Sequence, residues 1–427
     1  MSKRVVITGL GVAAPNGVGI PAFTSALKNG VSGIRHDTQL QELQFSCQIA
    51  GKPEITDELK SQYFTDLELR GFNSTGILYG VVAGMEAWKN AGLPLEIKSE
   101  PDWDSGTIFG SGTSGIDKFR ESIYKIDELQ TRKLGSTVVA QTMNSGISAY
   151  LGGKLGLGNQ VTTNSSACST GTEAIIMAYD RIKSGQAKRI LAGSTGDSGP
   201  YIWAGFDALR VCSSKYNDNP ELGSRPMSAT AAGFVPGSGA GALLIEDLDT
   251  ALKRGATIYA EILGGNVNSG GQRGTGSMTA PNSTAVQRCI TDAIRNSGIS
   301  PADVEAINGH LTATTKDSFE IENWTKALKR SGNDFPYINS LKSMTGHCLS
   351  AAGSIESVAS VLQIYEGFLF GNTNCEDLHP EITALIDPSK VLYKTFDIDL
   401  NIIAKASFGF GDVNACVLFK KYKNEYE

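Results

Sequence analysis

The sequence is poor in the features that mark proteins binding nucleic acid, zinc or a lipid bilayer. Its 38 lysines and arginines are outnumbered by 44 acidic residues, and the net charge of −6 predicts no basic face for phosphate binding. The seven cysteines are odd in number and form no CxxC pair, so neither a disulfide framework nor a bound metal is expected, and a reducing cytoplasm suits them. No apolar run approaches the ~20 residues that span a bilayer. We therefore expect a cytoplasmic protein that acts on small substrates, with no nucleic acid and no membrane among its partners.

Glycine, by contrast, is abundant, with 49 residues that cluster at the ends of apolar runs. Runs such as GTIFGSGTSG and RILAGSTGDSG are typical of a buried strand that leads into a tight turn. Helical patterns lie between these strands and end at Gly92, Gly298 and Gly367. The alternation of strands and helices predicts α/β layers around largely parallel sheets. A polar helix followed by a new strand near residue 253 predicts a division into 1–253 and 254–427.

Cys168 lies in the segment TTNSSACSTGTEAI, at a predicted strand-to-helix turn. The β-branched run 161–163 precedes it, and a helical spacing of apolar residues follows until Gly185. Unpaired N–H groups at a helix start favour a thiolate over a thiol by about 0.3–1 kcal/mol, or ~2 kcal/mol in good geometry. The small neighbours leave room for a ligand. A buried cysteine that serves only as a small apolar residue is an equally good interpretation of this segment alone.

Two of the four histidines lie in similar surroundings. His310 follows the predicted strand VEAIN, and His347 follows a strand in INSLKSMTGHCLSAAG, just before a predicted helix start. Strand ends are where α/β proteins gather ligands. A lone histidine is usually structural, but this repeated context together with Cys168 favours a shared site. A cysteine protease is disfavoured because no CGSC context surrounds Cys168, whereas a thiolate with two imidazoles suits acyl transfer and enolate stabilisation.

Four spaced motifs resemble those of the β-ketoacyl-acyl carrier protein synthases, the elongating condensing enzymes of the thiolase fold. The motifs are SSACSTG around Cys168, NGHLTAT around His310, SLKSMTGH ending in His347, and SFGFGDVN at 407–414. The resemblance covers nearly the whole chain. It implies an α/β, thiolase-like fold of two duplicated halves in five α-β-α-β-α layers. It also implies an acyltransferase of fatty acid or type II polyketide or polyene synthesis, which needs no cofactor because its substrates arrive on the phosphopantetheine of acyl carrier protein.

The resemblance assigns the central chemistry to five residues. Cys168 would take the growing acyl chain, and His310 and His347 would promote malonyl decarboxylation and stabilise the carbanion that attacks the Cys168 thioester. Lys342 matches the family's catalytic-site lysine and Glu356 its acidic partner. A direct role of this pair in decarboxylation and a role as an ion pair that only orients the histidines both stay open.

The resemblance also assigns residues along the substrate path. The backbone N–H groups of Cys168 and Phe410 would form an oxyanion hole, and the Phe410 ring would gate the acyl pocket. The other assignments are the gating loop at Gly409, Gly411 and Asp412, the pantetheine contacts Thr312 and Thr314, and the carrier-protein entrance at Arg210. The expected assembly is a homodimer or a heterodimer with a chain-length-factor-type subunit.

Several positions depart from the family pattern. Leu311 and Asp412 stand where the family usually has glycine, and Ser238 stands where it usually has an acidic residue. The segment NSGGQRGTGSMTAP replaces a short acidic second gating loop. We expect Asp412 to occupy a surface-facing position and to restrict the gate. These departures favour a specialised subfamily for polyene or polyketide assembly.

Three other functions each require a feature that distinguishes them from condensation. A chain-length-factor-type subunit lacks the nucleophile that this chain has at Cys168. A non-decarboxylating thiolase needs a further cysteine where the chain has Phe408-Gly409-Phe410. An acyl-binding module would give no malonyl-dependent product.

Overall fold

The computed structural model describes residues 3–95 and 99–423, which form one large mixed sheet covered by helices. The strands are β1 Val5–Ala14, β2 Gly17–Val18, β3 Ile34–His36, β4 Ile49–Gly51, β5 Ser105–Ser111, β6 Val161–Thr162, β7 Arg189–Gly196, β8 Gly239–Asp247, β9 Ala260–Ser269, β10 Ala306–Asn308, β11 Tyr337–Asn339, β12 Phe368–Leu369, β13 Phe396–Asp397, β14 Ile402–Gly409 and β15 Val413–Lys420.

The helices lie between these strands, as the sequence predicts. They are α1 Ile20–Asn29, α2 Thr38–Glu42, α3 Asp57–Tyr63, α4 Asp66–Leu69, α5 Thr75–Asn90, α6 Ile116–Asp127, α7 Val138–Thr142, α8 Gly146–Leu155, α9 Thr170–Lys183, α10 Pro200–Ala208, α11 Leu248–Lys253, α12 Ser283–Asn296, α13 Asp317–Leu328, α14 Lys342–Thr345, α15 Ala352–Glu366 and α16 Pro380–Thr383. The prediction that helices end at glycines is confirmed. Helices α5, α12 and α15 end one or two residues before Gly92, Gly298 and Gly367, respectively.

The main sheet is built twice over. Its strand order is β11-β10-β14-β15-β9-β1-β8-β7-β5-β6, with β2 paired to β1. Outward from the central β1–β9 pair, each side makes two antiparallel pairings and then two parallel ones. The five strands on one side also follow the same chain order as the five on the other. The two duplicated halves implied by the family resemblance are therefore confirmed.

The expectation of largely parallel sheets is wrong at the centre. The five pairings among β7, β8, β1, β9, β15 and β14 are all antiparallel. In each half the last two strands along the chain are neighbours in the sheet: β7 and β8 in the first half, β14 and β15 in the second. A tight turn joins β14 directly to β15, which only antiparallel strands allow. The alternation of helix and strand along the chain does not reveal that these last strands are antiparallel to their neighbours.

The layers follow from which helices cover which faces. α9 and α15 pack against each other and against strands of both halves, around the largest apolar core. α5 and α8 cover the outer face of the first half, and α12 and α13 cover that of the second. The α-β-α-β-α architecture is thereby confirmed.

Glycines let the two central helices approach at their first turns. A Cβ on Gly171 would lie 2.3 Å from the amide nitrogen of Ser354, and one on Gly353 would lie 2.6 Å from that of Thr172. Because no larger residue fits contacts this short, α9 and α15 touch backbone to backbone. The start of α9, just after Cys168, thus lies beside the start of α15.

The turns that begin α9 and α15 are alike. Ala167, with a φ of 49°, precedes Cys168 in a 3-10 turn, and Leu349, with a φ of 52°, precedes Ser350 in another. A left-handed residue other than glycine costs roughly 1–2 kcal/mol, so tertiary packing must hold both turns. The Ser350 hydroxyl donates to the carbonyl of Thr195 at 2.7 Å.

No helix in the part of the chain that the structure describes is both long and apolar enough to cross a bilayer.

Candidate active site

Cys168 lies where the sequence predicts, between the short strand β6 and helix α9. Its side chain is 7% exposed. Thr170 braces the turn: its hydroxyl donates to the carbonyl of Ala167 at 2.6 Å and accepts the N–H of Ser166 at 2.9 Å. The turn therefore presents the sulfur from a fixed backbone.

The expectation of a stabilised thiolate at Cys168 is wrong for the free protein. Burial raises the pKa of its thiol to about 11, and this effect outweighs the backbone N–H groups of Phe410 and Cys168 and the charge of Lys342, which act in the opposite direction. The pKa of Cys168 nevertheless rises least among the seven cysteines. The pKa values of the other six thiols rise to about 12 or higher, as at Cys289. Removal of the thiol proton must therefore accompany attack on a substrate.

The structure brings His310 and His347 to Cys168. His310 follows β10, and His347 follows α14, which itself comes shortly after β11. The two imidazole centroids are 5.4 Å apart and the rings are nearly perpendicular. The Cys168 sulfur and one nitrogen from each ring all lie within 4.8 Å of one another. The three residues singled out from their local contexts therefore form one cluster.

Both imidazoles are neutral hydrogen-bond donors. Nδ1 of His347 accepts the backbone N–H of Leu349 at 3.2 Å, which puts the proton on Nε2. Burial, then the charge of Lys342, lowers the pKa of both histidines. Nδ1 of His310 is buried and has no hydrogen-bond partner among the described residues. His347 is thus held in one tautomer, whereas no hydrogen bond to Nδ1 fixes the tautomer of His310.

Two cavities meet at Cys168. One, of about 300 Å³, contains Cys168 and both histidines and opens between residues 279–281 and 314–316. The other, of about 280 Å³, has a mainly apolar wall that includes Ile116 and Ile202. A thioester carbonyl at Cys168 would have its leaving group in the first cavity and its acyl chain in the second.

Phe410 lines both cavities. Its ring lies 5.8 Å from that of Phe206, which leads through Phe234 to His347 with centroid distances of 5.6 and 5.2 Å. Gly409 fits tightly beneath the nucleophile turn, since a Cβ there would lie 3.1 Å from the Cys168 nitrogen. Phe410 thus stands at the boundary that a gate would occupy.

The residues assigned to pantetheine and to the carrier protein lie in or beside the open cavity. Thr312 and Thr314 line the wall, with their hydroxyls 3.1 Å apart. The carboxylate of Asp317 accepts the N–H of Thr312 at 2.9 Å and so braces this loop. Arg210 is exposed, just after α10, and directly precedes the lining residue Val211.

Lys342 and Glu356 form the expected buried pair, with Nζ and Oε1 2.5 Å apart. Two further buried charges escaped the sequence analysis. Lys405 contacts the other oxygen of Glu356, and Glu320 accepts the backbone N–H groups of His310 and Leu311 at 2.7 Å each. Burial raises the pKa of Glu320 to about 7. The position of Lys405 within the apolar run IIAKASFG could have indicated a buried charge, because the residues around it are typical of a buried strand. No local pattern in the sequence marks Glu320.

The departures from the family pattern lie in different surroundings. Leu311 is buried in the outer core of the second half, and Ser238 is buried outside the lining of both cavities. The predicted surface-facing position of Asp412 is wrong, because the residue is fully buried. Its backbone has a φ of 62°. Its carboxylate accepts the N–H groups of Gln272 and Asn282 at 3.0 and 2.8 Å. The glycine-rich segment 270–282 folds over the turn and covers it.

The fold and this centre define the class: a condensing acyltransferase of the thiolase-like fold, with a cysteine from one half facing two histidines from the other. Family models extend the assignment. Residues 2–251 match the model described as "Beta-ketoacyl synthase, N-terminal domain", and residues 259–376 match "Beta-ketoacyl synthase, C-terminal domain". The chain belongs to the β-ketoacyl synthase family.

Named relatives agree over the full length. The chain is 33% identical to the "3-oxoacyl-[acyl-carrier-protein] synthase 2" of Vibrio harveyi, covering 99% of both chains. It is 33% identical to the chloroplastic "3-oxoacyl-[acyl-carrier-protein] synthase I" of Arabidopsis thaliana, covering 99% of this chain and 87% of the relative. A solved type II polyketide ketosynthase, in complex with its acyl-carrier protein, matches with 26% identity and a TM-score of 0.84 over 99% of this chain and 100% of that one. The chain is therefore a condensing enzyme of the 3-oxoacyl-[acyl-carrier-protein] synthase type.

Proposed function

We propose that condensation runs through Cys168, His310 and His347, with an acyl chain held on the sulfur and a malonyl unit decarboxylated beside the two imidazoles. The observation that carries this assignment is the placement of the three reactive atoms within 4.8 Å at the meeting point of two cavities. One cavity accommodates the thioester arm and the other the acyl chain.

In the first half-reaction, the Cys168 sulfur attacks the carbonyl of an acyl thioester. The thiol proton leaves as the carbon–sulfur bond forms, and it ends on the departing thiolate of the carrier arm. The backbone N–H groups of Cys168 and Phe410 stabilise the tetrahedral oxyanion. The products are acyl-Cys168 and the free thiol of the carrier.

In the second half-reaction, a malonyl thioester enters the open cavity and loses CO2. The electron pair of the breaking carbon–carbon bond forms an enolate, whose oxygen accepts hydrogen bonds from neutral His310 and His347. The enolate carbon attacks acyl-Cys168, the carbon–sulfur bond breaks, and the released thiolate takes up one proton. The product is a β-ketoacyl thioester on the carrier.

Lys342 and Glu356 support this second step. Their ion pair is almost completely buried, next to the two histidines, so its charges act with little solvent screening. We assign the pair the task of stabilising the decarboxylating malonyl unit through the histidines.

The proposed partner is an acyl carrier protein, with phosphopantetheine entering past Thr312 and Thr314, and Arg210 contacting the carrier at the rim. No resident cofactor or metal is assigned. Support comes from the open mouth of the first cavity and from the polyketide relative solved with its carrier protein. We also propose residue 253 as the end of the first half, and the cytoplasm as the location.

The proposed assembly is a homodimer. β6 is an end strand of the main sheet, and α6, which begins beside the apolar cavity, exposes large apolar side chains. These are Phe119, Ile123, Tyr124 and Ile126. An exposed strand edge beside an apolar helix face suits a second subunit. Light scattering of the purified chain tests this: a dimer supports the homodimer, and a chain that stays monomeric by itself contradicts it. A dimer that forms only after a second, nucleophile-free subunit is added identifies the heterodimer instead.

Product analysis tests the condensation itself. The protein is incubated with acyl-carrier proteins of several chain lengths and malonyl carrier protein, and the products are identified by mass spectrometry. We expect β-ketoacyl products two carbons longer than the acyl donor. The preferred chain length separates fatty acid from polyene or polyketide assembly.

Peptide mapping tests the nucleophile. The acyl mass shift should fall on the peptide that contains Cys168 and should vanish in Cys168→Ala. Cys289→Ala is the matched control, because Cys289 is also a buried cysteine but lies in α12, outside the lining of both cavities. Acylation that persists in Cys168→Ala would contradict the mechanism.

A further inference from the structure

Lys405 is a buried lysine to which the family resemblance assigned no role. It lies in β14, five residues before Phe410, and its side chain has no exposed surface. Its ammonium group is 2.9 Å from Oε2 of Glu356, and it donates to the hydroxyl of Ser407 at 3.1 Å and to the carbonyl of Ala406. A buried ammonium group without a counter-charge is strongly unfavourable. Glu356 is therefore the group that makes this position tolerable.

Glu356 is shared between two ammonium groups. Its Oε1 lies 2.5 Å from Nζ of Lys342 and its Oε2 lies 2.9 Å from Nζ of Lys405, and none of the three side chains is more than 2% exposed. One negative charge thus faces two positive charges. The cluster carries one uncompensated positive charge in the α14 region that leads to His347.

The other titratable groups around Lys405 lie in the same buried region. They are Glu356, Lys342, Glu320, His310, His347 and Cys416. Burial lowers the pKa of Lys405, and the carboxylate of Glu356 acts against that change. Burial, followed by positive charges that include both lysines, lowers the pKa of the two histidines.

We propose that Lys405 is a positioning residue for the condensation step: it neutralises Glu356 and so leaves the positive charge of Lys342 uncompensated beside the two histidines. This proposal rests on the condensation mechanism given above. Negative charge develops on the malonyl thioester oxygen as CO2 leaves, and a fixed positive charge in a buried site stabilises it. Acyl transfer to Cys168 depends less on this charge, because backbone N–H groups hold its oxyanion.

Lys405→Met tests the proposal, because methionine keeps the length of the side chain and removes the charge. Malonyl decarboxylation should fall by ~10-fold or more, and acyl loading should stay within ~3-fold of wild type. With one positive charge lost, the histidine pKa values rise, so the acid limb of the decarboxylation rate should move up by about 1 pH unit. Lys118→Met is the matched control, since Lys118 is a 3% exposed lysine ion-paired to Glu121 away from both cavities.

The double variant Lys405→Met/Glu356→Gln separates charge from packing. It restores a single excess positive charge, so its acid limb should return to the wild-type position, although its rate stays low because Lys342 has lost its anchor. Where melting curves show that Lys405→Met folds poorly, Lys405→Gln takes its place, because it removes the same charge but keeps an N–H donor for Glu356.

Two results would overturn the role of Lys405. One is an acid limb of the decarboxylation rate that does not move in Lys405→Met or, where it takes its place, in Lys405→Gln. The other is an equal fall in acyl loading and decarboxylation, as expected of a merely structural residue. Wild-type protein is assayed first with acyl and malonyl carrier proteins. Its failure to condense them would refute the proposed function instead.

Discussion

Replacement of Asp412 by glycine should release the loop that covers the Phe410 turn. The carboxylate of Asp412 holds two backbone N–H groups, those of Gln272 and Asn282. Bonds of this kind to a charged group contribute about 1.5–3 kcal/mol each. Glycine would recover roughly 1 kcal/mol, because Asp412 is held at a positive φ. With the low end of that range, the net loss is about 2 kcal/mol, which corresponds to at least a ~30-fold larger open population.

Amide hydrogen exchange measures this release directly. In Asp412→Gly, exchange at Gln272 and Asn282 should accelerate by ~30-fold. Loading of long acyl chains should also change more than loading of short ones, because the loop lies over the turn that carries Phe410. Asp412→Asn keeps one oxygen acceptor but relieves no backbone strain, so it should cost about 1.5 kcal/mol, somewhat less than Asp412→Gly.

Gly276→Ala offers an independent perturbation of the same contact. A Cβ at residue 276 would lie 2.4 Å from Oδ2 of Asp412, the oxygen that accepts the Gln272 N–H, whereas Oδ1 serves Asn282. Exchange should therefore rise more at Gln272 than at Asn282. Exchange within twofold of wild type at both amides in Asp412→Gly would refute the idea that this carboxylate holds the loop.

Alkylation of Cys168 should keep accelerating as the pH rises toward about 11, the thiol pKa, with Cys289→Ala as control, and a plateau below about pH 8 would contradict this. His310→Ala should lower malonyl decarboxylation by ~10²-fold while acyl loading persists, and lost loading with normal decarboxylation would reverse the assignment. A chelator should leave activity unchanged, because Cys168, His310 and His347 act as catalytic groups and not as metal ligands. Folded Glu320 has a pKa of about 7 against an ordinary 4.5, so stability should fall as the pH rises through that window, and Glu320→Gln should flatten the fall in urea unfolding curves.

Local patterns predicted the position of the nucleophile well. A β-branched pair before Cys168 and a helical spacing after it are properties of neighbouring residues, and the structure has β6 and α9 there. The strand-end position of His310 was predicted for the same reason. The same prediction is wrong for His347, because the short helix α14 separates it from β11. The similar contexts of the two histidines only favoured a site shared with Cys168, and the family resemblance made that prediction specific, since the three residues lie in different halves of the chain.

Properties set by tertiary packing could not be predicted in this way. The pKa of Cys168 depends on how deeply the turn is buried, and burial proved stronger than the helix start. Asp412 looked like a surface residue because its partners, Gln272 and Asn282, are distant in sequence. Lys405 gains its counter-charge from Glu356 in another element, and a lysine in an apolar strand gives no hint of which acid it meets.

The duplicated turns before α9 and α15 show a division of labour within one polypeptide. The first turn carries Cys168, whereas its counterpart carries Ser350, whose hydroxyl is already engaged with a backbone carbonyl. The second half instead contributes His347 from just ahead of its turn. Neither half therefore contains a complete reaction centre, and an ancestral chain of half the length would have needed a second copy of itself to bring a nucleophile and its proton donors together.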